Sequence, residues 1–155
     1  GVDTYEPMVD LARRHLAETP VGARAQVEAT AIDDLDEKDF DAATCILTAH
    51  FVPDDGSKLA FFTAIRARMK PGTPLAVVDG VGVESEPQIE LLRSIWTRHA
   101  ILNGVAKDVA ATNAENFKKV AVSVERQEEL LKSAGFERIT PIFRGLAIKG
   151  CLAFA

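Results

Sequence analysis

Asp3 stands first among the residues able to do chemistry. It ends the short opening run Gly1-Val2-Asp3, and a segment with helical spacing follows at once. Pro7 falls in the first turn of that segment, where its missing N–H costs nothing. An acid at the tip of a strand feeding a helix is where nucleotide-binding α/β folds hold a ribose, because one carboxylate accepts from two vicinal hydroxyls. A plain exposed acid near a helix start, favoured by the helix dipole, is the other reading. His50 directly follows the apolar run Phe40–Thr48. Its imidazole titrates near neutrality and could act as a general base, or it could pack a loop onto a helix. Leu47 and Thr48 lie at the carboxyl end of that run, where open α/β sheets bind ligands. Asp79 ends a second run, Pro74–Asp79, and is a candidate for lining the same pocket. Cys45 and Cys151 sit in apolar, strand-like runs and read as buried reduced thiols, as in a cytoplasmic protein. His15, His50 and His99 are scattered and lack ligand spacing, so no metal site is expected.

These residues need elements to hold them. Met8, Leu11, Ala12 and Leu16 fall on one face at helical spacing. Residues Ala23 to Ala31 alternate loosely and suggest a short strand, with an acidic loop over Asp33 to Asp39. Phe40 to Thr48 is nearly continuous in apolar and β-branched residues, which predicts a strand covered on both faces. Leu59, Phe62, Ile65 and Met69 mark a helix, ended by Lys70-Pro71-Gly72. Pro74 to Asp79 is the next buried strand. Glu86-Pro87 opens a helix carrying Ile89, Leu92, Ile95 and Trp96, broken at Asn103-Gly104. Residues Val105 to Val122 read as short helices. Ser123 is the expected N-cap of a helix through Ala134, with Gly135 as its stop. Arg138 to Phe143 and Leu146 to Phe154, separated by Arg144-Gly145, suggest an antiparallel hairpin. Alternating buried strands and helices predict an α/β fold, a doubly wound, mostly parallel sheet closed by that hairpin.

The bulk numbers set bounds. The chain has 155 residues, 47% of them hydrophobic and 26% charged, suiting one ordinary globular domain. A net charge of −5 argues against a broad nucleic-acid surface. No apolar run reaches membrane-spanning length.

Four stretches resemble the class I S-adenosylmethionine-dependent methyltransferases. GVDTYEPMVDLARRHL is similar to that family's second strand and following helix. FDAATCILTAHFVPDD resembles the fourth strand and its loop, and IRARMKPGTPLAVVD the helix, turn and strand leading into the fifth. LLKSAGFERITPIFRGLAIKGCLAFA resembles the closing helix with the sixth and seventh strands. The insert and the ending are similar to the branch of carboxy-S-adenosylmethionine synthase.

The resemblance implies a Rossmann-like methyltransferase domain over 1–155 that begins after the family's first strand and glycine-rich loop. Residues 1–155 alone are then expected to transfer no methyl group. It implies S-adenosylmethionine as cofactor, contacted by Asp3, Thr4, Met8, Ala31, Ile32, Asp33, Leu47 and Thr48. The family often carries an acid after its third strand to bind the adenine amino group. Ala31 occupies that place here, so Asp33 substitutes, or a backbone N–H near Ile32 and apolar contacts hold the base. The insert 87–122 is expected to cover the substrate site, with Trp96, His99 and Arg144 as candidate substrate contacts. The acceptor is a small molecule or a modified nucleoside, with a homodimer as the expected assembly. The sulfonium methyl is already electrophilic, so the protein must chiefly position an acceptor and, where needed, remove its proton. A nicotinamide-dependent dehydrogenase and a non-catalytic methyltransferase-like binding module are the alternatives.

Overall fold

Pro7 stands at the second position of α1 (Glu6–Ala17), the first of five α-helices in a computed structural model that describes residues 1–82 and 86–155. The described chain divides into two units, Gly1–Lys38 and Asp39–Ala155.

In the first unit, β1 (Val2–Asp3) runs parallel to β2 (Glu28–Ala29), with Asp3 opposite Ala29. The buried residue of α1 is Val9, fully inaccessible, with Ala12 and Leu16 half-buried. Val9, Ala12 and Leu16 lie at i, i+3 and i+7 and form the inward stripe. Met8 and Leu11, expected on the apolar face, flank it and are exposed. The strand expected over Ala23–Ala31 contracts to Glu28–Ala29, because Gly22–Arg24 is wound into a 3-10 turn. Gly22 is required there, since a Cβ would lie 2.3 Å from the Leu16 carbonyl oxygen. A second 3-10 turn, Ile32–Asp34, replaces the start of the expected acidic loop.

The second unit is a four-stranded sheet in the order β3-β4-β6-β5, formed by β3 (Ala43–Ile46), β4 (Pro74–Gly80), β5 (Glu137–Gly145) and β6 (Ile148–Phe154). β3 and β4 are parallel, whereas β6 is antiparallel to both β4 and β5. Counting β1–β2, two of the four pairings are antiparallel, so the sheets are mixed rather than mostly parallel. β3 is shorter than the apolar run Phe40–Thr48 that encodes it. Asp39 (φ 61°) and Leu47 (φ 51°) turn the backbone out of the extended region on either side. It is not covered on both faces, since Thr44 and Ile46 are exposed while Cys45 is buried.

Period two along β4 puts Leu75, Val77 and Asp79 on one buried face. The ladder extends that face sideways, with Cys45 beside Val77 on one side and Cys151 on the other, Ala153 beside Leu75, and Lys149 beside Asp79. Phe62 and Ile65 of α2 (Ser57–Arg66), with Leu130 and Leu131 of α5 (Val124–Ser133), are buried in the same core, and α2 packs on α5. Ser123 caps α5 by accepting the Arg126 N–H at 3.1 Å, and Gly135 (φ 91°) ends it, as the sequence predicts.

The hairpin turn lies at Leu146-Ala147, two residues beyond the expected Arg144-Gly145, which still pair with β6. Register shifts on either side of Pro141 absorb its missing N–H. The insert forms α3 (Glu86–Leu102) and one long helix, α4 (Lys107–Val120), in place of short helices. No helix among the described residues is long and apolar enough to cross a membrane.

Candidate functional site

The candidates of the first unit cluster at the ends of its short strands. Asp3 ends β1 and is exposed, and its Oδ1 accepts the Tyr5 N–H at 2.8 Å in a local turn. That bond orients the exposed carboxylate at the strand tip. Thr4 and Met8 are also exposed. Ala31 is the N-cap of the 3-10 turn Ile32–Asp34. Such a turn leaves the N–H of its first residue, Ile32, outside its own hydrogen bonds. Ala31 and Ile32 are half-buried and Asp33 is exposed.

In the second unit, β3 stops abruptly. Leu47 donates its N–H to the Val78 carbonyl at 2.7 Å, then turns left-handed. That conformation is strained for a leucine, and such residues cluster at functional sites. The turn exposes Leu47 and Thr48, whose hydroxyl donates to the Ile46 carbonyl at 3.0 Å. A 3-10 turn, Ala49–Phe51, follows and carries His50.

His50 and Asp79 are hydrogen-bonded through Nδ1 and Oδ1. The Asp79 side chain is 1% exposed and that of His50 11%. Asp79 Oδ1 also accepts the Gly80 N–H at 2.9 Å, which marks this oxygen as an acceptor. Nδ1 of His50 is therefore the donor to this carboxylate. The Phe51 ring lies 4.1 Å from the imidazole and is largely exposed. His50 thus has a buried carboxylate orienting it, the arrangement of a positioned general base.

Two further groups complete this pocket of polarity. Lys58, on α2, is fully buried and donates from Nζ to the Ala49 carbonyl. Burial holds its pKa below the usual lysine range, against the pull of Asp79 and then Asp54. Cys45 is pushed up to about 12, first by burial and then by the Asp79 charge. Sequence reading passed over Lys58, yet a signal exists. Lys58, Phe62, Ile65 and Met69 are spaced 4, 3 and 4 apart, which puts the lysine on the buried stripe.

The remaining candidates lie elsewhere. Trp96 is half-buried on α3, and exposed His99 on the same helix approaches Asn103 Nδ2 through Nε2 at 3.3 Å. Neither lines the open groove of about 770 Å³ between α3 and α4, where Arg93, Arg98, Ile101, Thr112 and Glu115 do. Arg144 is exposed on β5, opposite Lys149. The insert does reach the His50 region, because α4 packs against the 3-10 turn Ala49–Phe51.

Comparison with known proteins gives this geometry a context. Residues 1–77 match the methyltransferase domain family. A carboxy-S-adenosyl-L-methionine synthase from Ectopseudomonas mendocina is 28% identical over 123 residues, covering 78% of this chain and 47% of that protein. The chain therefore spans about half the length of this curated relative. Among solved structures, mitomycin 7-O-methyltransferase aligns over 99% of the chain and 41% of its own, with TM-score 0.66 and 18% identity. Human N-acetylserotonin methyltransferase, solved with S-adenosylmethionine, aligns over 83% of the chain and 33% of its own, with TM-score 0.58 and 15% identity. These structures share the α/β fold. The chain is thus similar to the methyltransferase domain family over residues 1–77 and shares the fold of S-adenosylmethionine-dependent methyltransferases.

Proposed function

We propose that the protein transfers a methyl group to a small molecule or modified nucleoside bearing an ionisable proton, with His50 as general base. The observation that carries this reading is the His50–Asp79 hydrogen bond at the carboxyl ends of β3 and β4. When bound, S-adenosylmethionine supplies the electrophilic methyl carbon. His50 Nε2 would take the acceptor's proton as the methyl group passes to the acceptor, leaving S-adenosylhomocysteine. Asp79 holds the ring in one tautomer and offsets the charge it gains.

The cofactor fits the residues present. Asp3 is assigned to the ribose hydroxyls, the Ile32 N–H to the adenine, and Thr4, Met8, Ala31, Asp33, Leu47 and Thr48 to the surrounding contacts. Trp96 and His99 belong to an insert assigned to cover the acceptor, a role supported by the packing of α4 on the His50 turn. Arg144 is kept as a candidate acceptor contact. The relative at 28% identity supports placing the chain near the carboxy-S-adenosylmethionine synthases. We also propose a cytoplasmic protein and a homodimer.

Isothermal titration with S-adenosylmethionine, S-adenosylhomocysteine and NAD tests the cofactor reading. Binding of the first two alone is expected, and binding of NAD alone overturns it.

A further inference from the structure

The core that buries Asp79 also buries two lysines, Lys58 and Lys149. Lys149 stands directly opposite in the β4–β6 ladder, on the same face of the sheet. Its ammonium, however, lies 2.7 Å from Glu128 Oε1 of α5, so its charge is matched there. Lys58 approaches from α2, is 1% exposed, and hydrogen-bonds a neutral carbonyl, that of Ala49. A buried ammonium held only by a carbonyl is costly unless an anion lies near. The carboxylates acting on it are Asp79 first and Asp54 second. Asp54 is already gripped by Arg126 at 2.8 Å and 3.1 Å.

The carbonyl that Lys58 holds belongs to the residue before His50. One buried cation therefore holds the backbone that carries the imidazole. We propose that Lys58 is a positioning residue for His50, clamping the Ala49 carbonyl so that the imidazole is held in a single orientation against Asp79. Its value for catalysis rests on the reading of His50 as general base. The geometry itself is testable without cofactor or acceptor.

The test is the ¹⁵N spectrum of the His50 imidazole in the unaltered protein, in Lys58→Met and in Asp79→Asn, at a pH where the ring is neutral. Methionine keeps the length of the stem and removes the charge. The unaltered protein is expected to show one tautomer, protonated at Nδ1. Lys58→Met is expected to shift His50 towards a mixture, in the same direction as Asp79→Asn. Imidazole signals in folded Lys58→Met that superimpose on those of the unaltered protein overturn the proposal. Should Lys58→Met fail to fold, the unaltered protein decides through its Lys58 ammonium. A slowly exchanging signal with coupling from Nζ to the Ala49 carbonyl carbon is expected, and a rapidly exchanging ammonium without that coupling overturns the clamp. Failure of the methyltransferase reading leaves these spectra unchanged, so the two ideas fall separately.

Discussion

Arg126 of α5 grips Asp54 with two arms of its guanidinium, Nε to Oδ2 at 2.8 Å and Nη2 to Oδ1 at 3.1 Å. The pair ties α5 to the loop between the His50 turn and α2, and it holds the Asp54 carboxyl below the usual range. Both partners retain solvent contact, so screening limits what the pair adds to global stability. Arg126→Ala is expected to leave the melting temperature nearly unchanged. Amide exchange should instead rise at Ser57, whose N–H is held by Asp55 at 3.0 Å. Unaltered exchange there would show that the pair does not order the loop.

His50→Gln and Asp79→Asn probe the proposed base. His50→Gln should lower kcat by about 10²–10⁴-fold, the usual contribution of a positioned base. Asp79→Asn offers an N–H to Nδ1 and selects the wrong tautomer, so a loss of similar order is expected. S-adenosylmethionine affinity should be retained in both. Release of S-adenosylhomocysteine with an acceptor present measures the first effect and titration the second. Full turnover in His50→Gln would remove the residue from the mechanism.

α1 offers a paired test of binding against packing. Val9 is fully buried, so Val9→Ala should cost about 2 kcal/mol of stability. Met8 is half exposed, and Met8→Ala should change stability by less than about 0.5 kcal/mol. If Met8 and Asp3 contact the cofactor, Met8→Ala and Asp3→Ala weaken its binding while Val9→Ala acts only through folding. Losing a carboxylate that accepts hydroxyls should cost about 1.5–3 kcal/mol. Unchanged affinity in folded Asp3→Ala would reject the ribose role.

Cys45 imposes a pH dependence whose sign follows from its raised value. Unfolded, the thiol ionises near 9.0, whereas folded it holds its proton up to about 12. Above the first value the unfolded chain gains by releasing a proton that the folded chain retains. Stability is therefore complete below pH 9 and falls as pH climbs towards 12. Denaturant midpoints between pH 8 and pH 11 should decline less steeply in Cys45→Ala than in the unaltered protein. The native thiol should also resist alkylation at pH 8.

Much of the second unit was legible from local signals. The Ser123 cap and the Gly135 stop are short-range chemistry, and α5 and β4 form close to where they are read, whereas α2 ends at Arg66, ahead of Met69 and the Lys70-Pro71-Gly72 break, because Met69 bridges to Phe40. Where partners decide, the sequence was less informative. Residues 23–31 alternate weakly, and the steric demand at Gly22 converted their start into a turn. Met8 looked like core because spacing alone cannot choose between the two edges of an apolar stripe, and burial selected Val9. His50 and Asp79 were each visible as candidates, but 29 residues separate them. Their pairing depends on the β3–β4 register. Lys58 escaped because a lysine at a helix start reads as solvated unless the whole stripe is taken together.

The β3–β4–β6 ladder sets Cys45, Val77 and Cys151 in one row, with the valine between the sulfurs. Adjacent strands lie about 4.8 Å apart, which puts the two cysteine backbones roughly 9.6 Å from each other. A disulfide spans at most about 6.8 Å between Cα atoms. The pair therefore cannot be cross-linked by oxidation while the sheet stands. A single valine in the central strand makes this unit indifferent to thiol–disulfide chemistry, and any bond between these cysteines would report that the sheet had opened.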